Sequence, residues 1–358
     1  MKLLHAADLH LDSAFSALPP ALAARRREAQ RRCLTALGDL CRREDCRMLL
    51  LAGDVFDTPN PSRQSVEALK ALARAVEVPV CIAPGNHDPY RAGSVYETET
   101  WPENVFLFRE ETPASVAFPA LDCRVWGAAF RQMDCPALPP FRAAGPETYQ
   151  IMVLHGDPVQ PGSPSRPVSR ETVAGSGLTY LALGHIHKGG AFRAGETLCA
   201  WPGCAMGRGF DETGPKGALV VGLEGKAEAR FVPLPGGRYE SLRLEAEGEG
   251  LAGIPGQLPE AAPEDLYRVT LTGWARPDLD LLNRTLAPRF AYLELRDETH
   301  PPLDLEAAAQ SDTLEGLYFR VLRDAIAQEQ DPDTLRQLRL AAELGRRLLD
   351  GEEVALPC

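Results

Sequence analysis

Lysine is scarce in this sequence: five residues among 358, at positions 2, 70, 188, 216 and 226. Binding to nucleic acid without sequence preference rests on Lys and Arg contacts to phosphates, so any such surface here must draw mainly on arginine. No apolar run approaches the ~20 residues that span a bilayer. The first residues hold no secretory apolar core, because His5 and Asp8 interrupt it; a cytoplasmic protein with no membrane partner is the expectation. The nine cysteines, at 33, 41, 46, 81, 123, 135, 199, 204 and 358, include no C-x-x-C pair, and their number is odd. That excludes a disulfide framework and a structural zinc knuckle, and leaves reduced, mostly buried thiols.

What is present is an ordinary globular composition, 44% hydrophobic and 25% charged. The length suits two to three domains with at least one sizeable core. The net charge of −12 is unevenly placed. Residues 241–358 hold 23 acidic and 12 basic residues, which leaves 27 and 26 in residues 1–240. The acidic C-terminal third is a poor DNA-tracking surface and better suits solubility or a basic protein partner.

The first 235 residues alternate short apolar runs with helical patterns. Runs at 2–7, 47–52, 78–83, 149–155 and 178–183 read as buried strands, and 21–43 and 63–75 as helices, an alternation that argues for a layered α/β domain. Runs at 197–201, 218–222 and 229–234 lack intervening helices and suggest closure with antiparallel strands. Pro233, Pro235, Gly236 and Gly237 mark a boundary. Beyond it come a strand at 239–245, a Gly/Pro-rich loop at 248–263, and a strand–helix–strand pattern at 266–271, 277–286 and 292–296. From about 301 the chain turns helical. Asp312 and Glu315 are spaced like a capping box, and Leu335, Leu338, Ala342, Gly345 and Leu349 form one apolar stripe on a last helix beginning near Pro332. The stripe packs on the body or receives a partner's helices. The division expected is a catalytic domain at 1–236, a small α/β cap at 237–300 and a helical docking segment at 301–358.

Six of the seven histidines fall in short polar clusters at the ends of the expected strands. They are His5-Ala-Ala-Asp8-Leu-His10, Gly85-Asn86-His87-Asp88, Leu154-His155-Gly156-Asp157 and Gly184-His185-Ile186-His187; a further cluster, Gly53-Asp54-Val55-Phe56-Asp57, supplies carboxylates. Residues at i and i+2 of an extended chain face the same way, so Asp8/His10 and His185/His187 can converge. Glycines at 53, 85, 156 and 184 permit turns and close approach where strands end, and ligands gather at the carboxyl ends of strands in open α/β sheets. Seven candidate metal ligands result: Asp8, His10, Asp54, Asn86, His155, His185 and His187. This mixed N/O set suits manganese, iron, zinc or cobalt. It is too large for one tetrahedral ion but fits two octahedral ions sharing a carboxylate. Two divalent ions with two aspartates leave positive charge, which stabilises a phosphoryl transition state. His87, oriented by Asp88, is a candidate acid for the leaving oxygen; His5 reads as structural. Arg25, Arg26, Arg27, Arg31 and Arg32 form a basic run on the first helix, most simply a solvated face.

These blocks, in this order, resemble the calcineurin-like metallophosphoesterase superfamily. Ala7-Asp8-Leu9-His10-Leu11-Asp12, Gly53-Asp54-Val55-Phe56-Asp57-Thr58 and Gly85-Asn86-His87-Asp88-Pro89-Tyr90 are similar to the bacterial DNA-repair exonucleases of SbcD and YhaO type. The stretch Trp201-Pro202-Gly203-Cys204 through Gly207-Arg208, then Glu212-Thr213-Gly214-Pro215-Lys216-Gly217, is similar to the YhaO branch. The resemblance implies a four-layered α/β/β/α sandwich and two divalent ions, most often manganese. It puts Asp8, His10, Asp54 and His187 on one ion and Asp54, Asn86, His155 and His185 on the other. It further implies hydrolysis of a phosphodiester by activated water with His87 assisting, and Arg208 is assigned to the substrate. Expected partners are DNA, an SbcC-like coiled-coil ATPase that docks on the C-terminal helices, and a second copy of the chain. The leading expectation is a manganese-dependent 3′→5′ DNA exonuclease of DNA repair. The alternatives are a phosphodiesterase or phosphatase for nucleotides or other small molecules, which the acidic surface favours, and a non-catalytic scaffold, against which the intact ligands argue.

Overall fold

The computed structural model describes residues 1–249, 253–300 and 304–351, with the side chains of 247–249 left aside. By packing, the chain divides into two units, Met1–Glu240 with Glu264–Leu266, and Ser241–Pro263 with the chain from Tyr267 onward.

The first unit runs β1 (Lys2–Ala6), α1 (Pro20–Arg43), β2 (Leu49–Leu51), α2 (Arg63–Val76), β3 (Val80–Ile82), α3 (Val95–Thr98) and β4 (Val105–Leu107). It continues with β5 (Ala114–Phe118), β6 (Cys123–Ala128), β7 (Tyr149–His155), α4 (Arg170–Ala174), β8 (Tyr180–Gly184), β9 (Lys188–Ala194), β10 (Thr197–Gly203), β11 (Gly217–Gly222) and β12 (Glu228–Pro233). The strands form two mixed six-stranded sheets, ordered β12-β11-β1-β2-β3-β4 and β5-β6-β7-β8-β10-β9. In the first, β1 to β4 are parallel and β11 and β12 close the edge antiparallel; in the second, β6, β7, β8 and β10 are parallel.

Strand alternation builds the layers, because successive side chains leave opposite faces. Leu4, Leu49, Leu51, Val80 and Ile82 point to one side and pack with Leu34, Leu37, Leu69 and Leu72 of α1 and α2. Leu3, Leu50 and Cys81 point to the other and pack with Val125, Ile151, Val153 and Ala182 of the second sheet. On that sheet's outer face, Met152, Leu154, Leu181 and Leu183 are covered by Val173 of α4 and by Val168 and Leu138. The result is the expected α/β/β/α sandwich. Buried on both faces, the central strands carry apolar runs rather than alternation, which makes them legible in the sequence; β4, β5, β6 and β9, shorter or more polar, are not.

Two helices show why their residues fold as they do. On α1, Pro20 occupies the first turn, where no N–H is required, and Leu34, Leu37, Leu40 and Cys41 are buried at three- and four-residue spacing. On α2, Ser62 accepts from Ser65 N as N-cap, while Val66, Leu69, Leu72, Ala73 and Val76 are buried. The arginine run on α1 is not uniformly solvated. Arg26 is buried and donates to the carbonyls of Gly207, Gly236 and Gly237, with its guanidinium 5.2 Å from the Tyr239 ring.

The second unit holds most of β13 (Tyr239–Glu249) and β14 (Ala262–Arg276) and all of β15 (Phe290–Asp297), in that sheet order, with α5 (Leu279–Leu286) between the last two. Leu282 and Leu286 of α5 pack with Val269, Leu271 and Phe290. Three helices follow, α6 (Leu305–Ala308), α7 (Leu314–Gln328) and α8 (Pro332–Leu349). The cap of α7 is Thr313, which accepts from Gly316 N, and not Asp312; the Asp312/Glu315 spacing mimics a capping box one residue out of register. The stripe on α8 packs on α7 in part. Ala342 is buried and Tyr318 donates to Ala341 O (2.7 Å), but Leu349 is exposed. Residues 250–252 of the Gly/Pro-rich loop, 301–303 at the start of the helical segment, and Cys358 lie outside the described residues. No helix among the described residues is long and apolar enough to cross a membrane. The eight described cysteines are buried free thiols.

Candidate metal centre

The polar clusters converge at the carboxyl ends of the parallel strands of both sheets. Asp8 and His10 follow β1, Asp54 follows β2 and Asn86 follows β3, while His155 ends β7 and His185 and His187 follow β8. Beyond their strands, the loops after β1 and β2 stay paired through Asp8 N to Gly53 O (3.1 Å) and His10 N to Asp54 O (2.9 Å). Among the described residues ten non-glycines have positive φ, and four are candidate ligands: Asp8 (51°), His10 (44°), Asp54 (48°) and His185 (102°). Such backbone is costly for residues with a Cβ and concentrates at functional sites. Close approach demands glycine at two positions. A Cβ on Gly85 would lie 2.1 Å from Asp54 Oδ1, and one on Gly184 would lie 2.0 Å from Ala52 O.

Three triplets bring one ligand atom each within 4.8 Å of one another: Asp8/His10/His187, Asp8/Asp54/His155 and His10/Asp54/His87. His10 Nε2 is 3.2 Å from His187 Nε2 and 3.6 Å from Asp54 Oδ2, and His155 Nε2 is 3.4 Å from the same oxygen and 2.9 Å from Asn86 Oδ1. The opposite ring nitrogens are committed elsewhere. His10 Nδ1 donates to Asp57 (2.9 Å), His187 Nδ1 to Glu212 (2.6 Å) and His155 Nδ1 to Ala52 O (2.9 Å). Whenever these rings are neutral, each Nε2 turns a lone pair inward, so that acceptor faces acceptor at His10/His187 and at His155/Asn86. Only a cation or a proton relieves such contacts, and the donor set fits the former. His185 is the least gathered candidate. Its backbone N donates to both Asp8 oxygens (3.1 Å each), and its ring, 22% exposed, lies 5.2 Å from the His155 ring with Nε2 4.0 Å from Asp157.

The charges are mutually tuned. Burial opposes the charge on Asp54, yet His155 and His10 outweigh it and hold the carboxyl well below its usual range. Burial opposes protonation of His155, but Asp54 and Asp8 outweigh it and lift the ring to about 9. Burial raises Asp8 and lowers His10.

Asp88 does not orient His87. Its carboxylate turns inward and accepts from Gly85 N (2.8 Å), Phe56 N (3.0 Å) and Tyr96 Oη (2.7 Å), so it knits the loops behind the centre; burial pushes it up to about 7. The carboxylate beside His87 Nδ1 is Asp57, 3.7 Å away. His87 is 40% exposed by side chain, at the mouth of the centre, and its backbone N–H donates to Asp54 Oδ1 (2.9 Å). Arg208, expected at the substrate, binds Asp57 Oδ1 (3.2 Å) and Glu212 Oε1 (3.0 Å). Glu212 has no signal of its own in the sequence; it stands there only within the Glu212–Gly217 stretch. His5 is structural as read: it is buried between the sheets with Nδ1 on Tyr180 Oη (2.7 Å) and Nε2 on Leu183 O (3.0 Å), and burial lowers it to about 3.

Two packed mixed sheets, with imidazoles and carboxylates meeting at the ends of their parallel strands, define a metal-dependent phosphoesterase. The calcineurin-like phosphoesterase family matches residues 1–189, and the chain belongs to that family, within which it is of the SbcD/YhaO type. The uncharacterized metallophosphoesterase YhaO of Bacillus subtilis is 33% identical over 232 residues, 61% of this chain and 56% of that one. The SbcD subunit of the SbcCD nuclease of Rhodobacter capsulatus is 27% identical over 393 residues, 94% of this chain and 89% of that one. Its counterpart in the SbcCD nuclease of Bacillus subtilis is 24% identical over 274 residues, 64% of this chain and 68% of that one. The chain thus spans little more than half of the YhaO relative. Membership of this family carries the fold and the polar residues of a metal-dependent phosphoesterase.

Proposed function

We propose that the chain is a manganese-dependent DNA exonuclease of DNA repair, acting 3′→5′ in the cytoplasm. Its seven metal ligands would be Asp8, His10, Asp54, Asn86, His155, His185 and His187, with Asp54 shared. The observation that carries the reading is the inward-facing Nε2 pair of His10 and His187, 3.2 Å apart, beside Asp8 and Asp54. When bound, the cations would neutralise phosphate charge and supply a nucleophilic water at neutral pH. Around them the chain's groups have separate tasks. Asp57 and Glu212 orient the His10 and His187 rings, as carboxylates do behind metal-bound histidines. His87, its Nδ1 beside Asp57, keeps Nε2 to protonate the leaving oxygen. Arg208 holds the two orienting carboxylates together.

DNA is supported by the likeness to the Rhodobacter capsulatus SbcCD nuclease component along nearly the whole chain. An ATPase partner on residues 301–358 is supported by α7, whose Leu314, Leu317 and Val321 are 80, 51 and 61% exposed on one face; a cap role for 237–300 and a homodimer complete the proposal. The test is digestion of end-labelled duplex and single-stranded DNA by chelated protein titrated with manganese, zinc or magnesium. Manganese-dependent loss of nucleotides from the 3′ end is expected. Intact DNA alongside turnover of a small phosphodiester would favour the second reading, a small-molecule phosphodiesterase, which the net charge of −12 supports.

A further inference from the structure

A cavity of about 450 Å³, within the range of small-ligand sites, opens beside His187 and is lined from the outermost strands of both sheets, β9 and β12. Apart from His187, the residues that line it take no part in the metal centre. Among the described residues no carboxylate lines it, in a chain with 50 acidic residues, whereas two of the five lysines do, Lys188 and Lys216. Neither lysine makes an ion pair among the described residues. On the β12 side Phe231 is 40% exposed, a large apolar ring that the core does not claim. On the β9–β10 side Trp201 backs the wall, its Nε1 donating to Lys188 O (2.9 Å). Gly190 keeps that wall thin, since a Cβ there would lie 2.5 Å from the indole. Lys216 belongs to the Glu212–Gly217 stretch, whose Glu212 orients His187.

We propose that this groove is a nucleoside subsite, in which the base next to the phosphate being cleaved leaves its stack and packs on Phe231 while Lys188 and Lys216 hold a flanking phosphate. An aromatic ring beside paired cations is the physics of unstacked nucleic acid binding. A free base is available at a strand end or in a single strand, so the groove would favour those substrates over duplex interior. This rests on the phosphodiesterase reading above.

The test compares kcat/KM for thymidine p-nitrophenyl phosphate and methyl p-nitrophenyl phosphate, which share a leaving group and differ in the nucleoside. The wild type should prefer the nucleoside ester. In Phe231→Ala that preference should fall roughly tenfold through KM, the size of one lost base–aromatic stack, and Lys216→Gln should lower it too. Calorimetric titration of the chelated protein with thymidine 5′-monophosphate and with inorganic phosphate gives a readout apart from turnover: Phe231→Ala should weaken the former alone. An unchanged preference together with unchanged nucleotide binding would overturn the groove even if wild-type protein degrades DNA. Turnover of both esters with DNA left intact would remove the nuclease reading and leave the groove as a nucleotide site.

Discussion

His10 and His187 each spend one nitrogen on a carboxylate and turn the other inward, so the carboxylates behind them set how well a cation is held. Outer partners of this kind contribute about 10- to 100-fold in metal affinity. Glu212→Ala should weaken metal binding by about that factor, read by titration of chelated protein; undiminished affinity would show that His187 needs no such support. His87→Ala should keep metal stoichiometry but lose about 10²–10⁴-fold in turnover, as for a missing acid, and full activity would refute its role. The candidate ligands are legible in the sequence because each lies in a short polar motif at a strand end. Their supporting partners are not. Asp88 adjoins His87 in the chain yet points to Gly85, Phe56 and Tyr96, while the carboxylate beside His87 comes from position 57. Neighbourhood in sequence does not predict where a side chain on a tight loop turns. Arg26 and Arg208 teach the same: spacing places them on a helix or in a motif, but their acceptors come from distant loops.

At the level of elements, the loops after β2 and β3 lie within contact of each other, and Gly85 is what allows it. Gly85→Ala would drive a methyl into Asp54, so the expected result is loss of bound metal and activity, measured by elemental analysis, while the far-UV spectrum keeps its shape; full metal content would contradict the contact described. The central strands can be read because burial on both faces makes them continuous apolar runs. β9, with the sequence Lys-Gly-Gly-Ala-Phe-Arg-Ala, carries neither a run nor alternation, and its pairing with β10 comes from the fold. On α7 the exposed Leu314, Leu317 and Val321 give the docking proposal a direct check. Leu317→Glu with Val321→Glu should leave small-diester turnover by the isolated chain intact and abolish co-purification with an SbcC-like ATPase; retained association would move the partner elsewhere.

For the whole molecule, folding and metal binding are linked through protons. In the metal-free protein His155 titrates at about 9 against an ordinary 6.5, because Asp54 and Asp8 overcome the burial that opposes its charge. The folded state then holds this proton more tightly than the unfolded chain. Its stabilising contribution is complete below about 6.5 and disappears as the pH rises through about 9. A cation takes the proton's place. Chelated protein should therefore lose melting temperature between these pH values relative to metal-loaded protein, and parallel curves would exclude His155 from the centre.

The guanidinium of Arg208 touches both Asp57 and Glu212, and these hold rings delivered by strands of different sheets. Positions 57, 208 and 212 thus behave as one mechanical part. Damage to any one loosens two ligands at once, so the losses from Asp57→Ala and Arg208→Ala should overlap instead of adding, and across homologous chains the trio should be kept or exchanged together.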